Sequence, residues 1–134
     1  MVHLTTNKIK LKSSYKELFN FLSQTKKMAQ IISFKKTKHL EVKGDIITFI
    51  LKWAARFNFR IEEVTPEYVL IKSQKDVVFS SAFRFDISEE IIGSSIVIHA
   101  ETDTAPFVDF YFERQMKKWV AAIVENIENE FIAE

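Results

Sequence analysis

From Thr37 to Thr102 apolar and polar residues alternate almost without a break, and from Thr104 to the end the apolar residues return at helical spacing. That change of period constrains the chain more than any other feature. A period of two builds strands with one buried and one wet face, whereas three-to-four spacing builds a helix with one apolar stripe. In the first region Leu40 and Val42 are placed inward, Lys43-Gly44-Asp45 makes a hairpin turn, and Ile47, Phe49, Leu51 and Trp53 continue the inward row. The run RFNFRIEE sets Phe57, Phe59 and Ile61 against Arg56, Asn58, Arg60 and Glu62, so one face is apolar and the other polar. Thr65-Pro66-Glu67 and Lys75-Asp76 are turns on either side of EYVLIKS, a strand whose facing parity alone does not settle. Phe79, Ser81, Phe83, Phe85 and Ile87 form the next inward row, opposite Ser80, Ala82, Arg84 and Asp86. After the turn at Glu89-Glu90, Ile96, Ile98 and Ala100 face inward on the last strand.

The closing helix is capped in this reading by Thr104, with Pro106 tolerated in its first turn. Its stripe runs through Val108, Phe112, Met116, Trp119, Val120, Ile123, Val124, Ile127 and Phe131. A stripe of that length needs a large apolar partner, and a strongly curved sheet gripping the helix buries both surfaces at once. At the other end of the chain, residues 3–12 alternate as a strand with Ile9 and Leu11 on one face and Lys8, Lys10 and Lys12 on the other. Ser14 and Glu17 then make a capping box ahead of Tyr15, Leu18, Phe19 and Leu22 at helical spacing. A second short helix from Gln24 contains Met28, Ile31 and Ile32. The expectation is seven strands in an antiparallel meander, joined by short turns except where the two helices separate the first pair.

A chain of 134 residues without a repeat, linker or low-complexity tract fits a single domain spanning 1–134. The absence of cysteine excludes disulfides, thiolate metal sites and cysteine nucleophiles. The first residues alternate and do not form the apolar core of a signal peptide, and no later run reaches the length of a membrane span, so a cytoplasmic protein is expected. Charge is uneven along the chain. Thirteen cations against three acids give +10 up to Arg60, which leaves −9 for the remainder of a chain whose total is +1. Such asymmetry marks either a nucleic-acid or acidic-membrane surface or two sheet halves whose charges cancel in space. The lysines alternate with apolar residues and have no aromatic stacking platform among them, which favours cancellation and argues against nucleic acid.

The order of elements, strand, two short helices, six-stranded meander and long terminal helix, resembles the START-like superfamily, also called the helix-grip or SRPBCC fold. The segment SSYKELFNFLSQ is similar to the helix that follows the first strand in that family. RFNFRIEEVTPEYVLIKS resembles its strand-turn-strand with a Thr-Pro turn, and FERQMKKWVAAIVENIENEFI looks like its closing helix. The likeness covers essentially the whole chain, and its motifs are structural and not tied to any activity. One departure is local: where many relatives have Trp-Pro or a similar aromatic after the second helix, this chain reads MAQIISFKK.

The resemblance implies a cavity between sheet and helix that holds a hydrophobic or amphipathic small molecule, lipid-like or aromatic. The side chains placed to line it are Phe49, Leu51, Phe57, Phe59, Phe79, Ser81, Phe83, Phe85, Ile96, Ile98, Phe112, Met116, Trp119 and Ile123. Ser81 among phenylalanines fits the mostly apolar pocket with a few polar groups, or makes room for a large helix residue such as Trp119 or Phe112. The polar candidates are Tyr111, Arg114 and His99. On the parity adopted His99 faces solvent beside Glu101, and a register shift of one residue would turn both inward. Arg114, beside the main stripe, either anchors a ligand carboxylate at the pocket mouth or pairs with surface carboxylates. His3, His39 and His99 are scattered, so no metal is expected, and with only Gly44 and Gly93 there is no glycine-rich phosphate loop. No catalytic constellation or cofactor motif is present. The function expected is binding or transport of a hydrophobic ligand. The alternatives the family offers are a cyclase or dehydratase, with Tyr111, His99 or Arg114 moving protons, and a chaperone-activator-like module docking through its basic half.

Overall fold

The computed structural model describes residues 1–33, 37–51, 56–74, 79–104 and 108–132. Among the described residues the strands are β1 (Val2–Thr5), β2 (Ile9–Leu11), β3 (Thr37–Lys43), β4 (Ile46–Leu51), β5 (Arg56–Val64), β6 (Tyr68–Ser73), β7 (Ser81–Glu89) and β8 (Ser94–Thr102). These eight form one sheet in the order β1-β8-β7-β6-β5-β4-β3, with β2 also on β8, and every pairing is antiparallel. The helices are α1 (Tyr15–Leu22), α2 (Thr25–Ile32) and α3 (Asp109–Ile132). The architecture is α+β: a curved antiparallel sheet closed over a long C-terminal helix, with two short helices preceding the meander.

The strand expected over residues 3–12 is two strands. Thr6 lies between them, where its backbone amide donates to the Ile98 carbonyl and its hydroxyl accepts from the Ile98 amide, both at 3.0 Å. That exchange keeps the segment beside β8 while the register changes. Ser14 caps α1 as expected, its hydroxyl accepting from the Glu17 amide at 3.2 Å. The hydroxyl of Thr104, the residue expected to cap the closing helix, donates to the carboxylate of Asp109, the first residue of α3. Trp53, the Lys75-Asp76 turn and Pro106 lie outside the described residues.

The inward rows follow parity. Ile47, Phe49, Leu51, Phe57, Phe59, Phe83, Phe85, Ile96 and Ile98 are buried, and β6 contributes Val69 and Ile71, the facing that parity left open. Leu40 is the exception: it is exposed and Val42 only half-buried. His39 stands at φ 56°, and the β3–β4 register shifts between Lys38 and Glu41. A bulge of this kind adds a residue to one strand, and the alternation beyond it changes face.

On α3, Phe112, Met116, Trp119, Val120, Ile123, Ile127 and Phe131 are buried against this surface. Burying one such side chain contributes about 1.5–3 kcal/mol, whereas helix propensities differ by only about 0.7 kcal/mol per residue. Packing therefore holds α3 in place far more strongly than its own helical preference. Hydrogen bonds also tie it to the end of α2. The Trp119 indole Nε1 donates to the Ile32 carbonyl at 2.8 Å, and Asn126 Nδ2 donates to the carbonyls of Ile31 and Ser33 at 2.9 and 2.6 Å. Those carbonyls close a helix that has no partner of its own for them, so α3 caps α2 while it packs.

Candidate functional site

The fourteen side chains expected to line a cavity lie where the inward rows of the sheet meet α3. All are buried except Phe79, which is half-buried. Trp119 is at their centre with no exposed surface. The rings of Phe49, Phe57, Phe59 and Phe83 surround it at centroid distances of 5.7, 5.5, 6.1 and 4.8 Å, all steeply inclined to the indole. Edge-to-face contacts place ring hydrogens against the electron-rich indole face and add to the burial of each ring. The Phe49, Phe57 and Phe59 rings, brought side by side by β4–β5 pairing, stack on one another at 5.8 to 5.9 Å. Towards the start of α3, Phe79 meets Phe112 at 4.3 Å.

Two buried polar side chains meet next to Met116, on the side of the sheet that faces α3. The hydroxyls of Ser81 and Thr102, cross-strand partners on β7 and β8, are 3.1 Å apart, and Thr102 Oγ1 donates to the Met116 sulfur at 3.5 Å. A thioether is a weak acceptor. The pair thus has hydrogen-bonding capacity that the protein only partly uses, next to a side chain that repacks easily. Thr102 was not singled out from the sequence, because nothing in its local pattern marks it as Ser81's partner twenty-one residues away.

The other face of the sheet is polar. A depression of about 390 Å³ opens there among His3, Thr5, Glu63, Tyr68, Leu70, Lys72, Ala82, Arg84, His99 and Glu101. His99 is held from both sides: Nε2 lies 2.8 Å from Asp86 Oδ2 and Nδ1 lies 3.1 Å from the Thr5 hydroxyl. Asp86 also pairs with Arg84, whose Nε is 2.8 Å from Oδ1 and whose Nη2 is 3.2 Å from Oδ2. The Arg84 guanidinium in turn lies over the Tyr68 ring at 5.6 Å. Tyr68 donates to Glu63, and this bond to a carboxylate is the main cause that raises the Tyr68 hydroxyl's pKa above the ordinary value of 10.0. His3 lies 3.5 Å from Glu101.

Of the three polar candidates, His99 therefore faces outward, on the side its parity gave. Tyr111 and Arg114 are exposed on α3, Tyr111 with its ring 6.2 Å from Phe112 and Arg114 over the Phe110 ring at 5.8 Å. The three do not come together at one site: His99 lies across the sheet from the helix. Among the described residues no three His, Asp or Glu side chains converge as metal ligands, and no helix is long and apolar enough to cross a membrane.

No protein-family model and no curated protein matches the sequence. Solved structures match it along nearly its whole length. A protein named KanY, solved in solution, superposes with a TM-score of 0.75 at 12% identity, over 98% of this chain and 99% of its own. A START superfamily protein from Mycobacterium smegmatis gives 0.72 at 11% identity, over 98% and 97%. A conserved protein from Geobacillus kaustophilus gives 0.72 at 11% identity, over 98% and 96%. The chain has a START-like, helix-grip fold. At these identities the likeness concerns the fold alone.

Proposed function

We propose that the chain works as one START-like domain that binds a hydrophobic or amphipathic small molecule, lipid-like or aromatic, between the sheet and α3. The observation that carries this reading is the interior itself: an aromatic wall around Trp119 with a polar corner at Ser81 and Thr102 beside Met116. That is the chemistry of a small-molecule site, mostly apolar with a few placed polar groups. A bound polar head would exchange the weak Thr102–Met116 contact for a stronger hydrogen bond, while the apolar body lies along the phenylalanines. Since the four rings pack closely on Trp119, the ligand makes its room by turning that indole or by lifting the start of α3, where Met116 and the Phe79–Phe112 contact supply pliable packing. Carriage of the ligand in water needs no catalytic group, and the separation of His99 from Tyr111 and Arg114 favours binding over proton transfer. The cytoplasm suits a carrier of this kind.

The test is native mass spectrometry of the purified protein, followed by titration with a fluorescent fatty acid. The expected result is one molecule bound per chain, amide shifts confined to α3 and the inward rows of β4, β5, β7 and β8, and loss of binding in Ser81→Leu. Absence of any bound mass together with unshifted interior amides at millimolar probe would overturn the reading.

A further inference from the structure

We infer that the outer face of the sheet carries a second site, separate from the interior, that takes a small organic monocarboxylate with a flat apolar body. Its floor is set by pairing. Lys72, Ala82 and Glu101 are neighbours across β6, β7 and β8, and Leu70, Arg84, His99 and Thr5 form the adjoining row across β6, β7, β8 and β1. In a grid otherwise filled by long side chains, Ala82 presents only a methyl group, so the sheet is hollow above it, and Leu70 extends the apolar floor. The resulting volume of about 390 Å³ lies within the range of small-molecule sites.

The walls are unequal in what they have left to offer. Each acid near the hollow already has a partner: Glu63 accepts from Tyr68, Glu101 lies beside His3, and Asp86 holds both His99 and Arg84. The cations keep spare donors. Arg84 engages Asp86 side-on through Nε and Nη2, which leaves its Nη1 donors, and the Tyr68 ring beneath holds the guanidinium plane in position. Lys72 lines the same hollow, and its exposed ammonium carries three donors. A carboxylate placed between Lys72 and Arg84 receives charge-assisted hydrogen bonds from an oriented guanidinium and from a lysine that reaches to it, and its apolar body covers Ala82 and Leu70. His99, fixed through both ring nitrogens, forms a rigid side wall. Glu63 and Glu101 at the edges repel a second negative charge, which selects a monoanion over a dianion.

The experiment is amide-shift mapping of the full chain titrated separately with benzoate, benzamide and terephthalate. Benzoate is expected to shift the amides of Lys72, Ala82, Arg84 and His99 saturably. Benzamide and terephthalate are each expected to bind about tenfold more weakly, the loss of one charge-assisted contact or the addition of one repulsive one. Lys72→Gln should weaken benzoate about tenfold, and Ala82→Leu, which fills the hollow, should abolish the shifts. Lys72→Gln leaves the interior untouched, so fatty-acid binding beneath α3 should be unchanged in it. Benzamide binding as well as benzoate, shifts that fall on α3 in place of β6–β8, or benzoate affinity unaltered by Lys72→Gln would each overturn the inference without bearing on the interior site.

Discussion

The two faces of one sheet are built by the same strands and held by different physics. On the inward face β7 buries Phe83 and Phe85 against the core, and on the outward face the residues between and beside them, Arg84 and Asp86, form a side-on ion pair in solvent. Inward, each contact is non-directional, and its worth scales with the area removed from water. Outward, each contact depends on geometry and gains little, since an exposed ion pair contributes at most about 1 kcal/mol. The difference shows where selection has room to act. Stability resides under α3, so the outer face is free to arrange its charges for recognition at small cost to the fold.

The largest expected effect tests this division directly. Trp119→Ala removes the ring on which four phenylalanines converge and the indole donor to the Ile32 carbonyl, and should lower stability by about 3–5 kcal/mol in urea denaturation. Arg84→Ala, on the outward face of the strand whose Phe83 meets that indole, should cost under about 1 kcal/mol. Equal losses from the two substitutions would break the contrast, because the outer network would then be a structural element in its own right.

A smaller effect separates the two glycines in hairpin turns. Gly44, at φ 61°, has open space around a would-be Cβ, whereas at Gly93, φ 79°, that atom would be 2.0 Å from the Leu11 carbonyl oxygen. The β7–β8 turn is thus pressed onto the end of β2, with Ile91 and Ile92 left exposed at its tip. Gly44→Ala should cost about 1–2 kcal/mol for the left-handed backbone alone. Gly93→Ala should cost more, since main chain must also move, and thermal unfolding of both variants measures the gap. Equal midpoints would mean that β2 yields to the turn without resistance.

How much of this was legible in the sequence follows from what each feature depends on. The inward rows and the α3 stripe are local periodicities, so Phe57, Phe59, Phe83, Phe85 and Trp119 could be placed from spacing alone. Leu40 could not, because the bulge that turns it outward rests on His39 adopting a positive φ, which no pattern announces. The outer network was out of reach for another reason. Thr5, Asp86 and His99 meet only through the register of β1 on β8 and of β8 on β7, and residues ninety-four positions apart carry no sign of each other. Parity gave the face on which His99 stands and could not give its neighbours.

The smallest expected effect is the pH dependence, and it too divides the faces. None of the buried polar side chains, Ser13, Ser81, Ser94, Ser95, Thr102, Thr104 and Gln115, titrates, so the described interior should contribute no pH dependence of its own. On the outer face Glu62 has its pKa lowered from 4.5, chiefly by the hydrogen bond from Gln74, and at the start of α3 Asp109 has its pKa lowered from 3.8, chiefly by that from Thr104. A carboxyl depressed in the folded state contributes stability that is present above its unfolded value and lost as pH falls through the folded one. Tyr68 is shifted the other way, so its contribution is present below pH 10.0 and lost as pH rises through its raised value. Urea midpoints should therefore be flat near neutrality and fall slightly below about pH 4 and above about pH 10. Glu62→Gln should shallow the acid limb and Tyr68→Phe the alkaline limb, whereas Trp119→Phe should lower the whole curve without changing its shape. A change of shape in Trp119→Phe would show that the two faces are coupled through the sheet and do not act independently.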